Sequence, residues 1–155
     1  MTRYDWALLL HLVGAIAFFS GMAVASAAEL GAWRRERCGE VAAVLALARL
    51  GVLVVGAGLV LVVASGLWLV DETGRSLGDG WIVAALLLLV ASLLLGAVGG
   101  RRARHARVLA TARPPDASVD GALGALLRDR PSLAANLLAS AAAIGVLVLM
   151  VWRPE

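Results

Sequence analysis

The chain has 155 residues, 61% of them apolar and 16% charged, with a mean hydropathy of +0.89, far above what a water-soluble domain of this size carries. That composition predicts one membrane domain over residues 1–155 and excludes a soluble enzyme with an appended anchor, because no stretch outside the apolar segments is expected to bury a core of its own. Fourteen arginines and no lysine stand against eleven acidic residues, for a net charge of +3, and the single cysteine, Cys38, excludes an intrachain disulfide or a CxxC motif and reads as an ordinary loop thiol.

A helix that crosses the hydrocarbon layer needs about 20 uncharged residues. The chain offers four such segments, at about 6–28, 50–70, 81–100 and 132–152. Trp6, Trp33, Trp68, Trp81 and Trp152 lie at or near their ends, where an indole keeps its ring in the interface and its N–H on water. The first span has a competing reading as a signal peptide cleaved after about residue 27, since Arg3, an apolar stretch and Ala25-Ser26-Ala27 imitate its three regions. The length of the apolar run and the arginines at 34, 35 and 37 favour a retained span.

The second helix is expected to start near Glu40, because 41–48 is an apolar helix-forming run that continues through Arg49 without a break. Glu29 ends the first span at the same depth as Arg49, which predicts either an ion pair between them or two solvated interfacial charges. The link 71–80, with Gly78-Asp79-Gly80 as its turn, makes the second and third helices antiparallel neighbours. The third helix runs on through Arg101, Arg102, Arg104, His105 and Arg107 until Pro114 and Pro115 stop it. Within 118–129, Val119, Ala122, Leu123, Leu126 and Leu127 fall at helical spacing and predict a short amphipathic helix on the membrane surface. Ser132 reads as the N-cap of the fourth span. The fold class expected is therefore all-α: an antiparallel four-helix transmembrane bundle with a short surface helix in the third connection.

Membrane helices associate through close packing of small residues. His11, Gly14, Phe18, Gly21, Ala25 and Ala28 recur at steps of three and four, and Gly51, Gly58 and Ser65 recur every seven, which predicts left-handed antiparallel packing of the first two helices. Ser92, Gly96 and Gly100 form a strip for the same bundle or for a homodimer. Eleven arginines fall in the first and third connections against Arg3, Arg75 and Arg153 elsewhere, so those connections are expected on the cytoplasmic side of a bacterial inner membrane, with both termini outside.

The order of LLHLVGAIAFFSG, SGLWLV, an acidic hairpin, an arginine-rich exit and a closing LMVWRP resembles bacterial predicted integral membrane proteins of unknown function, over nearly the whole chain. The first span is more distantly similar to that of copper-resistance D proteins and of the membrane protoporphyrinogen oxidase. That likeness implies a haem or metal role for His11 and stops there, because the third span lacks the Lys of the oxidase family.

His11 is the one titratable residue well inside a span, roughly 7 Å below its outer end at 1.5 Å per residue, and so is a candidate site. With Met150 at similar depth it offers an imidazole and a thioether, suited to haem b or copper; the alternative is a His that pins helix packing by hydrogen bonding. Asn136 and Ser140, one turn apart, can hydrogen-bond another helix. Arg101, Arg102, Arg104 and Arg107 are candidates for anionic lipid headgroups. Nucleic acid is not expected as a partner, since no folded domain presents these arginines beside stacking aromatics. The spans hold no hydrolase or nucleotide motif, so an enzyme is the weakest class. The reading favoured is a structural or interaction membrane protein, alone or with a partner membrane protein; a haem- or copper-binding protein and a small transporter are the alternatives.

Overall fold

A computed structural model describes residues 2–152; Arg153, Pro154 and Glu155, which the sequence assigns to the outer tail, lie outside them. The chain is all-helical: α1 (Arg3–Ala32), α2 (Cys38–Glu72), α3 (Gly80–Thr111), a short α4 (Gly121–Leu127) and α5 (Arg130–Trp152). Four stretches are long and apolar enough to cross a membrane, the fourth made of α4 and α5 together. They form the antiparallel four-helix bundle that the spacing of the apolar segments predicts.

Each boundary has a local cause. Thr2 and Asp5 close a capping box at the start of α1, three residues earlier than the apolar pattern begins, because capping rather than hydropathy fixes a helix start. Gly74, at φ 63°, supplies the left-handed residue that ends α2 and opens the link to α3. The N-cap of α5 is Asp129, which accepts from the Ser132 backbone N–H at 2.9 Å. Ser132 therefore lies inside the helix and is not its cap.

The helices pack as two pairs. α1 lies tightly along α2 and α3 along α5, whereas α2 and α3 touch more sparsely although a short link joins them. In the first pair Gly14, Phe18, Gly21 and Ala28 are buried against Gly51, Gly58 and Ser65, as the seven-residue repeat predicts. In the second pair the buried α3 residues Ala85, Ser92 and Gly99 also repeat every seven, on the helix that packs along buried Ala135, Ala139 and Ala143 of α5. Gly96 and Gly100 have open space where a Cβ would stand, so the four-residue strip expected on α3 is not the one its partner uses. The Ser92 hydroxyl donates to the Ala139 carbonyl at 2.8 Å, which satisfies a polar group that lipid could not.

At 35 and 32 residues, α2 and α3 measure about 52 and 48 Å at 1.5 Å per residue, more than the roughly 30 Å of a hydrocarbon core. Their overshoot builds a core that the sequence did not lead us to expect. Ala32 of α1, Cys38, Val41 and Leu45 of α2, Ala106 and Ala110 of α3, and Leu123 of α4 bury one another at the arginine-rich end. Cys38 is thus a fully buried core residue and not a loop thiol. The short helix occurs where its periodicity places it, with Leu123 buried in this protein core and Ala122 exposed. Its stripe was not left for lipid because the two projecting helices offer apolar faces of their own.

The first and third connections are also stitched by backbone bonds. Cys38 N–H donates to the Ala117 carbonyl at 2.9 Å, Gly39 N–H to Pro115 at 2.9 Å and Val119 N–H to Glu36 at 2.8 Å. The two arginine-rich connections therefore share one end of the bundle.

Candidate functional site

Two places gather several polar side chains between the helices. The first is the α1–α2 seam near the end away from the arginines. The seam turns His11 toward α2, where its Nδ1 lies 3.1 Å from the Val62 carbonyl oxygen and 3.4 Å from the Ser65 hydroxyl. The Ser65 hydroxyl itself donates back to the Leu61 carbonyl, a bond that i−4 spacing makes available to any helical Ser. A ring nitrogen facing a carbonyl must be the protonated one, so Nδ1 is the donor and Nε2 keeps its lone pair. Ser65 is three per cent exposed, and Gly66 leaves only a 3.2 Å gap between a would-be Cβ and the His11 ring. Met150 lies half-buried near the far end of α5, the helix that packs chiefly on α3.

The second place is a cleft of about 120 Å³ at the arginine-rich end, where the two helix pairs meet. Its wall carries Glu29 of α1 and Asn136 of α5, whose amide donates to the Glu29 carboxylate. Asn136 can stand there because Gly99 of α3 has no side chain; a Cβ on Gly99 would collide with the Asn136 amide. At the rim Arg102 forms an ion pair with Asp129. Leu30, Leu133 and Leu137 complete the apolar lining, with Ser26 and Ser140 adding hydroxyls.

Glu29 and Arg49 are not brought together. Arg49 is exposed, and among the described residues no basic group lies within 4.0 Å of Glu29. Asn136 does reach another helix, while Ser140 bonds back to the Asn136 carbonyl of its own helix at 3.0 Å. Of the basic run, Arg101 and Arg104 are exposed and Arg107 is half-buried, while Arg102 is committed to Asp129. Sequence reasoning missed Gly99 and Asp129. Both left a signal: Gly99 stands seven residues after Ser92, and Asp129 stands three before Ser132, the spacing of an N-cap. The Val62 carbonyl left none, since a backbone acceptor has no residue signature.

Outside the spans, Asp120 caps α4 by accepting from Leu123 N–H at 2.8 Å and pairs with Arg113 at 2.7 Å. The Arg113 hydrogen bond, then that of the helix backbone, hold its carboxyl below the usual carboxylate range. At the opposite end Glu72 accepts from the Trp68 indole at 3.1 Å and lies 3.4 Å from Arg3, tying the start of α1 to the end of α2.

A family described as "Predicted integral membrane protein (DUF2269)" matches residues 6–154. No curated protein and no solved structure matches the chain. The match carries the broader resemblance drawn from the sequence; none of these comparisons supports the more distant likeness to copper-resistance D proteins and protoporphyrinogen oxidase.

Proposed function

Because the chain belongs to this family of predicted integral membrane proteins, we propose that it is a structural or interaction protein of the bacterial inner membrane, not an enzyme, and that it works by holding a partner or ligand at the cleft between α1 and α5. The observation that supports this reading is Glu29. An ionisable side chain at membrane depth is costly and marks function by default, and here it faces a cleft with a neutral amide as its partner. Packing alone would be served as well by apolar residues. The arginine-rich end faces the cytoplasm in this proposal, both termini face outside, and exposed Arg101 and Arg104 meet anionic headgroups at about 1 kcal/mol each. A photo-reactive residue at Leu137, 62% exposed at the cleft mouth, tests it in cells. A discrete adduct, lost in Glu29→Gln, is expected; the absence of any adduct overturns the reading.

A second reading has one observation in its favour. With Nδ1 donating to Val62, His11 carries its lone pair on Nε2, and a carbonyl behind the ring is the usual support of a metal- or haem-ligating His. Haem b or copper would draw on the imidazole of His11 and the thioether of Met150 on α5. A pigment or stoichiometric copper in the purified protein would favour this reading.

A further inference from the structure

We infer that the cleft between α1 and α5 binds an ammonium-headed amphiphile, that is, a protonated amine on an apolar chain. The inference rests on the cleft being a binding site and adds the chemistry of what it holds.

Charge decides the head. Of the ionic groups in the lining, Arg102 and Asp129 neutralise each other, and Asp129 also accepts from Ser132 N–H. Glu29 is left as the ionisable group without a countercharge, so a guest that brings a positive charge balances its carboxylate. Asn136 spends one of its two amide N–H groups on Glu29 and keeps its oxygen, Ser140 has given its proton to the Asn136 carbonyl and keeps its lone pairs, and Ser26, Ser132 and Trp33 add hydroxyls and an indole N–H to the lining. A carboxylate with amide and hydroxyl oxygens beside it suits a donor with several N–H groups and a positive charge.

Size and access decide the rest. The cleft volume of about 120 Å³ holds a small headgroup and its first methylenes; for scale, a cavity of about 150 Å³ takes benzene. The chain of the guest must therefore remain outside. Leu30 and Leu137, 46% and 62% exposed, stand at the mouth on faces turned to lipid, so a chain leaving there stays in hydrocarbon. A divalent metal fits poorly, since among the described residues no group of three or more His, Cys, Asp or Glu side chains could hold one. An ammonium on an apolar chain can come from an ethanolamine phospholipid or from a free amphiphilic amine.

The test uses the full chain in a mild detergent, with decylamine as probe and decanol as its neutral match. Decylamine is expected to raise the thermal midpoint saturably and decanol to leave it unchanged. Glu29→Gln should weaken the half-saturating concentration about tenfold or more. Leu137→Trp, which fills the mouth at an exposed position, should do the same without touching the charge, and so covers the case in which Glu29→Gln does not fold. Equal responses to decylamine and decanol, displacement by sodium or potassium chloride at matched ionic strength, or an undiminished response in Leu137→Trp would each overturn the inference. In nanodiscs, competition by phosphatidylethanolamine but not phosphatidylcholine identifies the phospholipid as the source, and its failure identifies the free amine; either supports the amine chemistry. A protein adduct at Leu137 in cells with no amine response would sink this inference and leave the binding role standing, whereas no adduct of any kind would sink the binding role itself.

Discussion

Gly21 and Gly51 press the backbones of α1 and α2 together: a Cβ on either would lie 2.7 Å from the carbonyl oxygen of the other. Neither neighbour is a flexible side-chain end that could swing away. The same holds one turn-pair further on, where a Cβ at Gly58 would meet Phe18 N at 2.5 Å and the Gly14 carbonyl at 2.8 Å.

Gly58→Ala is therefore expected to force a backbone shift and to lower stability by about 1–3 kcal/mol, the usual range for overpacking. Gly56→Ala, two residues away with open space around it, should be neutral or stabilising by up to about 1 kcal/mol, because Ala is the better helix former. Thermal unfolding of both variants in one detergent compares them. A Gly58→Ala protein as stable as Gly56→Ala would remove the seam from the account.

His11→Ala removes the contact to the Val62 carbonyl and is expected to cost about 0.6 kcal/mol, the average for a hydrogen bond between membrane helices. The absorption spectrum should not change if the ring serves packing. Disappearance of a Soret band or of bound copper in this variant would instead promote the ligand role.

Single cysteines report the orientation. One introduced at Arg75, and one in the tail at Glu155, should react with an impermeant reagent added to intact cells, and one at Asp116 should not. The native Cys38 contributes little background because it is fully buried. Labelling at Asp116 alone would reverse the assignment.

Cys38 also reports on α4. Since the folded-state acidity of Asp120 is depressed by Arg113, its contribution is present above the ordinary carboxylate range and is lost as pH falls through the lower folded value. Protonation removes the acceptor charge that pairs with Arg113 and caps Leu123, loosening the helix that covers Cys38. Reaction with dithiodipyridine, which proceeds in acid, should be slow near neutrality and accelerate only below the ordinary carboxylate range. Asp120→Asn should react several-fold faster already at pH 7; an unchanged rate there would mean that Leu123 packing alone holds α4.

What could be read from the sequence depended on whether a feature is periodic. The α1–α2 seam is legible because Gly51, Gly58 and Ser65 repeat in register with the packing geometry. On α3 the strip Ser92, Gly96 and Gly100 shares Ser92 with the packed face, but spacing four continues to Gly96 and Gly100 where spacing seven leads to Gly99. The partner of Glu29 was not legible from depth. Arg49 has the right height, but it follows buried Ala48 by one residue, and one residue turns a helix by about 100°, so its side chain leaves the seam. Asn136 has both the height and the direction. The core at the arginine-rich end was hidden for a different reason: its members come from four helices, and none of their segments looks like a core by itself.

The backbone stitch between residues 36–39 and 115–119 has a consequence for biosynthesis. Its partners, such as Cys38 and Ala117, are 79 positions apart, so it forms only after α3 has emerged and its loop has returned. During synthesis at about 5–20 residues per second, that interval lasts several seconds. Through it the first two helices must survive as an independent hairpin in the bilayer, without α4 to cover Val41 and Leu45. The glycine seam makes that hairpin self-sufficient. Late closure of the stitch then acts as an assembly checkpoint, since only a chain whose second hairpin has inserted in the matching orientation can bring residues 115–119 to the same side as residues 36–39.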